Sequence, residues 1–335
     1  MKTRYLFLIA VLFLQTACKS QTQKINGLSF VASRDSISQK HITPVLNSKS
    51  NFVALMPYSF IRNLDYPKIE FNTNREWFGE TENGLLQYAK EFQKVSIKIM
   101  VKPHLWLRRG GFTGDLKPTT EENWKLLEDT YKAYILTYAK AAEALDAEVL
   151  CIGTELKEFV INRPDYWVQL IKEIRAIYKG KLTYAANWDE YKRLSFWNEL
   201  DYIGIDAYFP LSDVKTPTVA HLEEGWAKHK KEIMGIQQKF QKPVLFTEFG
   251  YRSVDYNAKK PWEFHRLQGS VNLQAQANGL QAIHNQFWKE DWFLGGFIWK
   301  WFHKHTEVGG ENNNRFTPQN KPAEVLLRSL YKQIG

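Results

Sequence analysis

The segments EVLCIGTE, residues 148–155, and PVLFTEFGY, residues 243–251, decide the fold. Each is a run of mostly apolar residues that carries a glutamate, Glu155 or Glu248, where the run gives way to other residues. Near-continuous apolar character is typical of parallel β-strands that are buried on both faces of the sheet. The two segments therefore indicate buried strands of a parallel sheet, each ending in a carboxylate.

Six further segments of this kind alternate with longer amphipathic segments along the chain. The eight candidate strands are GLSFVAS near residue 27, NFVALMPYS at 51, VSIKIMVKPHLWL at 95, EVLCIGTE at 148, KLTYAANW at 181, LDYIGIDAYFP at 200, PVLFTEFGY at 243 and GGFIWKWF at 295. Apolar residues at helical spacing predict helices over residues 121–145, 165–178 and 272–287. Strands alternating with helices over roughly 300 residues favour an α/β fold of one domain, a (β/α)8 TIM barrel over residues 27–335. An open doubly wound sheet is disfavoured, because no Gly-x-Gly-x-x-Gly follows the first strand.

The formal net charge of +9 raises the question of a nucleic-acid partner. The basic residues are spread along the chain and mixed with acidic ones, and no zinc-ligand pattern or RNA-binding signature accompanies them. We therefore expect a solvated basic surface and no nucleic-acid partner, with an acidic polysaccharide as a minor alternative. Aromatic residues make up 15% of the chain, which suits a cleft that stacks on sugar rings but also suits a large core.

The N-terminal segment has the pattern of an export signal. Lys2 and Arg4 precede an apolar run over residues 5–14, which is too short for a transmembrane helix, and Ala17 precedes Cys18. The small residue before the cysteine resembles a bacterial lipobox. We therefore predict a signal peptide over residues 1–18, lipidation at Cys18, a tether over residues 19–26, and a membrane-anchored lipoprotein that faces the periplasm or the cell surface. A plain signal peptide that happens to end in cysteine is the alternative.

The cysteine count limits the chemistry of the mature chain. Cys151 is the only other cysteine, so an internal disulfide and a cysteine metal cluster are both excluded once Cys18 is lipidated. Cys151 lies in an apolar run, where a small buried residue is expected. His303 and His305 alternate on a polar segment without an obvious third ligand, so we predict neither a metal site nor a cofactor.

The two strand-end glutamates predict the chemistry. In a TIM barrel the catalytic residues lie at the carboxyl ends of the strands, and Glu155 and Glu248 end the fourth and seventh candidate strands. A glycosidase needs one carboxylic acid to protonate the leaving oxygen and one carboxylate on the other side of the scissile bond. The separation that distinguishes retaining from inverting enzymes cannot be obtained from the sequence alone.

The motifs around these glutamates resemble those of the retaining TIM-barrel glycoside hydrolases of clan A. Within the clan, IGTELKEF at residue 152, FTEFGYRS at 246, KPHLWLRRGGFTGD at 102 and FIWKWF at 297 resemble glycoside hydrolase family 113, the β-mannanases. The resemblance implies Glu155 as general acid/base and Glu248 as nucleophile. One departure is Thr154, which stands where most of the clan has an asparagine that bonds the sugar 2-hydroxyl.

The resemblance also implies the residues that surround the substrate. Tyr208 is expected to donate to Glu248, and Trp299 to form the platform under the sugar at the cleavage site. The remaining candidates for substrate binding are Tyr58, His104, Trp106, Asn187, Trp188 and Asp206. His104, Trp106 and Trp188 also have a purely structural interpretation as core residues, and Asp206 as an orienting or buried carboxylate.

The sequence therefore favours a retaining endo-β-1,4-mannanase that cleaves β-mannan or glucomannan by double displacement. A retaining hydrolase of another β-glycan, such as a β-glucan or xylan, is one alternative. A catalytically silent carbohydrate-binding lipoprotein is another, although the presence of both glutamates disfavours it.

Overall fold

The computed structural model describes residues 23–107, 111–263 and 270–332. Eight parallel strands form a closed barrel in the order β1-β11-β10-β9-β8-β7-β5-β2, which confirms the predicted (β/α)8 fold. The barrel strands are β1 Ile25–Phe30, β2 Phe52–Leu55, β5 Lys98–Val101, β7 Val149–Thr154, β8 Lys181–Asn187, β9 Ile203–Asp206, β10 Val244–Phe249 and β11 Phe293–Trp301. Each of them falls within, or overlaps, one of the eight candidate segments.

Helices fill most of the connections between the barrel strands. They are α1 Gln39–Asn47, α2 Glu82–Gln93, α3 Glu121–Ala144, α4 Lys157–Asn162, α5 Pro164–Ile177, α6 Val219–Phe240, α7 Leu273–Phe287 and α8 Pro322–Lys332. The three predicted helices correspond to α3, α5 and α7 within one residue at each end. The side chain of Thr120 caps α3 by accepting from Asn123 N. Between β8 and β9 the chain makes only the 3-10 turns Tyr191–Arg193 and Trp197–Glu199.

A small second sheet lies beside the barrel, and the sequence analysis did not foresee it. It contains β3 Tyr58–Ile61, β4 Ile69–Glu70 and β6 His104–Leu107, in the order β4-β3-β6. The second and third candidate strands each divide in two, at Pro57 and at Pro103. A proline has no backbone N–H to donate to a ladder, so it favours the end of a strand. We call this structure the side sheet.

The core has two parts. A large cluster fills the space between the barrel and the helices, and a smaller one fills the barrel interior. The interior cluster comprises Ile25, Phe52, Ala54, Met100, Val149, Cys151, Ala185, Leu245 and Phe297. Cys151 is completely buried, as expected for a small core residue.

The first strand begins earlier than predicted. β1 starts at Ile25 instead of residue 27, and the buried ammonium of Lys24 donates to the backbone carbonyls of Glu290 and Phe293. Residues 24–26, assigned to the tether, are therefore part of the barrel. The predicted signal peptide and Cys18 lie outside the described residues, as does the first half of the tether, residues 19–22. Within the described part of the chain, no helix is both long and apolar enough to cross a bilayer.

Candidate active site

Both predicted glutamates lie beside irregularities in the barrel. Between β7 and β8 the register moves from Cys151↔Thr183 to Thr154↔Ala185, so β7 carries one extra residue directly before Glu155. Between β10 and β9 it moves from Phe246↔Ile205 to Glu248↔Asp206, which is again one extra residue. Such β-bulges change the direction in which a side chain points, and they are over-represented next to active sites.

A buried lysine connects Glu248 to a second carboxylate. Lys102 follows β5 directly, two residues after the interior residue Met100, and its side chain is fully buried. Its Nζ atom donates to Glu248 Oε1 at 2.5 Å and to Asp206 Oδ1 at 3.2 Å. Burial opposes the charge of Lys102, but the two carboxylates outweigh it and raise the pKa of the lysine. The lysine is therefore charged and holds Glu248 in place.

Asp206 lies in the protein interior. It has no exposed surface, and its Oδ1 accepts from Thr247 Oγ1 at 2.7 Å. Burial and the charge of Glu248 raise the pKa of Asp206 to about 7, against the opposing effect of Lys102. The assignment of Asp206 to substrate binding is wrong for this structure, because a carboxylate enclosed on all sides cannot reach a ligand. The structure agrees with the alternative interpretation, a buried carboxylate that orients its neighbours.

The predicted donor to Glu248 is in place. Tyr208, just beyond β9, donates its hydroxyl proton to Glu248 Oε2 at 2.8 Å. Burial, reinforced by the charges of Glu248 and Asp206, raises the pKa of Tyr208 well above its ordinary value, so the phenol remains a donor. Both oxygens of Glu248 are thus fixed, one by an ammonium and one by a phenol.

Glu155 has a contrasting environment. Its backbone lies in the left-handed region, with φ of 50°, and its N–H donates to Ala185 O at 2.8 Å. The residue is partly exposed. Burial of its carboxyl, followed by the charges of Asp206 and Glu248, raises the pKa of Glu155 well above the ordinary value. The site therefore pairs a carboxyl whose pKa is raised with a second carboxyl group held by an ammonium and a phenol, and such a difference in environment is what assigns acid and nucleophile roles to two carboxyl groups.

A second buried carboxylate supports the backbone next to Glu155. Glu190 Oε1 accepts from Tyr184 OH at 2.7 Å, and that hydroxyl accepts from Leu156 N at 2.7 Å. Glu190 Oε2 accepts from Asn187 N at 3.0 Å. Burial raises the pKa of Glu190 to about 7, although the bonds from Tyr184 and Asn187 oppose this. Glu190 thus ties the carboxyl ends of β7 and β8 together.

Three of the predicted substrate-binding residues form one aromatic group beside Glu248. His104 Nε2 lies 3.7 Å from Glu248 Oε1, and the His104 ring lies 6.0 Å from that of Trp299 at an interplanar angle of 15°. The Tyr58 ring lies 5.2 Å from His104. Burial, followed by the charges of Lys102 and Lys300, holds the pKa of His104 well below its ordinary range, so the ring is neutral. Its Nε2 has no hydrogen-bond partner within the described ranges.

Asn187, Trp188 and Trp106, the other predicted substrate-binding residues, lie outside the aromatic group formed by Tyr58, His104 and Trp299. In the β-ladder register, Asn187 of β8 lies opposite Asp206 of β9, and Asp206 lies opposite Glu248 of β10. These three strands therefore carry polar residues at one level of the barrel. Trp188 stacks on Trp262 at 4.9 Å and packs against the core, and nothing in the described structure places it against either glutamate. Trp106 lies on β6 of the side sheet and is 47% exposed.

Sequence reasoning missed Lys102, Tyr184 and Glu190. A signal for Lys102 was available, because a lysine at the end of an apolar strand, two residues after a buried methionine, is unusual. Tyr184 and Glu190 resemble ordinary strand and turn residues, and only the structure brings them next to Glu155. His303 and His305 contact different carboxylates, Asp35 and Glu324.

Replacing Lys102 with methionine should destabilise the protein strongly. Loss of the ammonium leaves Asp206 and Glu248 side by side without a buried cation, and breaking a buried pair in this way costs about 3–5 kcal/mol. The matched control is Lys181→Met, which removes an exposed partner of Asp201 and should cost about 0–1 kcal/mol. Denaturant unfolding near neutral pH measures both free energies. Equal losses in the two variants would contradict the assigned role of Lys102.

Comparison with known proteins identifies the family. A model of Glycoside Hydrolase Family 113 matches residues 32–321. A comparison with curated proteins gave no significant match.

Solved structures agree in fold. The GH113 β-mannanase AaManA from Alicyclobacillus acidocaldarius, in complex with ManMIm, has a TM-score of 0.82 at 21% identity, covering 93% of this chain and 98% of that one. A complex structure of a GH113 β-1,4-mannanase has a TM-score of 0.78 at 21% identity, and the match covers 92% of this chain and 99% of that one. A β-glucuronidase from Faecalibacterium prausnitzii has a TM-score of 0.59 at 15% identity. That match covers 93% of this chain but only 49% of the β-glucuronidase chain. At these identities the structures establish only the fold, but the family model covers most of the chain, which therefore belongs to glycoside hydrolase family 113.

Proposed function

We propose that this glycoside hydrolase is a retaining, endo-acting β-1,4-mannanase. The observation that carries the mechanism is the unequal environment of the two glutamates, since Glu248 is bound by Lys102 and Tyr208 while the pKa of Glu155 is raised. The family, and the relatives whose names include β-1,4-mannanase, support mannan as the glycan.

The proposed reaction has two steps. In the first, Glu248 attacks the anomeric carbon while Glu155 gives its proton to the departing glycosidic oxygen, so that a glycosyl–enzyme ester forms and the sugar–oxygen bond breaks. In the second, Glu155, now ionised, takes a proton from water, and the water oxygen displaces Glu248 from the same carbon. Two inversions return the β configuration.

The surrounding residues have assigned roles in this mechanism. Lys102 and Tyr208 position Glu248 for attack, and Trp299 supplies an apolar surface beside it. The neutral His104 lies beside Glu248 and stacks on Trp299, and its buried Nε2 has no hydrogen-bond partner within the described ranges. The Thr154 hydroxyl is also buried, beside the thiol of Cys151.

Replacing Glu248 with alanine should abolish turnover of mannohexaose. Azide should restore cleavage, because the small anion occupies the space of the lost carboxylate and gives a product of inverted configuration. NMR of the fresh products should show β-mannooligosaccharides for the unmodified protein. The control is Glu158→Ala, which removes a more exposed glutamate three residues after Glu155 and should retain full activity.

The outcomes separate the alternatives. Hydrolysis of cellohexaose or xylohexaose in place of mannohexaose would assign a different β-glycan to the same mechanism. Inverted product from the unmodified protein, or normal activity in Glu248→Ala, would rule out Glu248 as the nucleophile. Binding of an oligosaccharide without cleavage would leave a carbohydrate-binding role.

Activity should decline at alkaline pH as Glu155 loses its proton. Glu190 is one of the negative charges that raise the pKa of Glu155. Replacing Glu190 with glutamine should therefore lower the pKa of Glu155 and move the alkaline limb of the kcat profile to lower pH. Glu148→Gln is the matched control, because Glu148 also accepts from a backbone N–H, that of Ile99, but at the opposite end of the barrel. A shift in the other direction, or the same shift in the control, would contradict the assignment.

We further propose that the chain is exported and held at a membrane by lipid on Cys18. The apolar run and the Ala17-Cys18 pair support this. Cys18→Ser should abolish incorporation of labelled palmitate in cells and release the protein from the membrane fraction. Cys151→Ser, a change at the chain's other cysteine, should leave both unchanged. Labelling that survives Cys18→Ser would contradict the proposal.

A further inference from the structure

The loop between β11 and α8 contains a short segment whose backbone is bound by side chains from outside it. We call this segment, residues 313–316, the strap. Each of its four consecutive carbonyls accepts a hydrogen bond from such a side chain. Ser253 Oγ donates to Asn313 O at 2.6 Å, and Arg252 Nε donates to Asn314 O at 3.1 Å. Both donors lie just beyond β10.

Two further side chains bind the remaining carbonyls of the strap. Lys321, directly before α8, donates from its Nζ atom to Arg315 O and to Ser253 Oγ, each at 2.9 Å. Gln276 Nε2, on α7, donates to Phe316 O at 2.8 Å. The strap is therefore joined to the segment after β10, to α7 and to the start of α8.

The four residues that bind the strap are all buried, and none has a role in the reaction proposed above. Burying a polar side chain costs free energy unless it makes hydrogen bonds. Lys321 shows this cost, because burial, followed by the charge of Arg252, lowers the pKa of Lys321 to about 7. Buried polar groups that direct their hydrogen bonds to one short segment specify its conformation. The strap therefore has a defined position.

The side chain of Phe316 links the strap to the catalytic centre. Its ring lies 5.9 Å from that of Tyr208, edge to face, at an interplanar angle of 69°. Among the described rings, no other packs on that of Tyr208. Tyr208 in turn donates to Glu248 Oε2 at 2.8 Å. Phe316 thus contacts the group that holds one oxygen of Glu248.

We propose that Phe316 is a positioning residue for the hydrolysis, which holds the Tyr208 phenol against Glu248 from a strap fixed by the four buried side chains. This rests on the proposed function, in which Tyr208 positions Glu248 for attack. An edge-to-face pair contributes free energy beyond the burial of its area, so the contact restricts rotation of the tyrosine ring. Without the contact, the Tyr208 hydroxyl leaves Glu248 Oε2 part of the time, and fewer molecules have the geometry for reaction.

The role of Phe316 should reveal itself in a double-mutant cycle. Phe316→Ala should lower kcat/KM for mannohexaose about three- to tenfold, which is the contribution of an aromatic pair expressed as a rate. Phe316→Tyr, which keeps a ring, should retain most of the activity. In protein that already carries Tyr208→Phe, and so lacks the hydroxyl that binds Glu248, Phe316→Ala should have no further effect. An equal loss in both backgrounds would overturn the proposal, because Phe316 would then act without Tyr208.

The strap is tested in the same cycle. Gln276→Met removes the donor to Phe316 O but keeps the length of the side chain, so it should lower kcat/KM only when the Tyr208 hydroxyl is present. The matched control is Gln281→Met on the same helix, because the hydrogen bond of Gln281 to Asn285 is exposed. This control should retain full activity, and a loss equal to that of Gln276→Met would contradict the role of the strap.

The control for the ring is Phe240→Ala. Phe240 is also a partly buried phenylalanine, but it ends α6, shortly before β10, at the end of the barrel remote from the glutamates. Its replacement should lower stability and leave kcat/KM unchanged. A loss of kcat/KM equal to that of Phe316→Ala would overturn the proposal.

A structural measurement distinguishes failure of this proposal from failure of the proposed function. If the unmodified protein hydrolyses another β-glycan, the same cycle is measured on that glycan. If it hydrolyses none, crystal structures of the unmodified protein and of Phe316→Ala test the contact without a substrate. A Tyr208 hydroxyl that moves away from Glu248 Oε2 in Phe316→Ala would support the proposal, and one that stays within hydrogen-bond distance would overturn it.

Discussion

The ammonium of Lys102 lies in the barrel interior with no access to water, between Asp206 and Glu248. Removing charges from water costs several kcal/mol for each ion, and only close geometry offsets that cost. Strands β5, β9 and β10 must therefore keep the relative register that brings these three groups together. The two carboxylates also act on the nearby Glu155, whose pKa is raised first by burial and then by the charges of Asp206 and Glu248. One buried cation thus accounts for the fixed position of Glu248, while burial of the Glu155 carboxyl and the nearby carboxylates raise the pKa of Glu155 against the effect of that cation.

The parts of the structure that depend on local sequence were predictable. Apolar runs gave the eight barrel strands, and their order placed Glu155 and Glu248 at the correct ends of the fourth and seventh. The helix over 121–145 was predictable because its apolar spacing and its Thr120 cap are both local. The fold and the positions of the two glutamates thus follow from short-range pattern combined with the geometry of a parallel barrel.

What escaped prediction depends on contacts between distant residues. Lys102 and Glu248 are 146 positions apart, and nothing in either segment indicates the other. Each β-bulge is defined by the partner strand, so neither could be read from β7 or β10 alone. Asp206 was assigned to the substrate because it ends a strand as the glutamates do, yet its pairing with Lys102 and Thr247 directs it inward. The division at Pro57 and Pro103 was visible, but its consequence, a separate sheet, depends on α3 packing beneath it.

The start of β1 fixes the end of the barrel at which the preceding part of the chain joins the folded domain. Lys24 anchors the start of the strand on the carbonyls of Glu290 and Phe293, at the amino ends of the strands, whereas the glutamates lie at the carboxyl ends. Any attachment made through the residues before Lys24 therefore starts from the end of the barrel opposite the glutamates. A molecule held in that way would leave the end of the barrel that carries the glutamates open to a large substrate.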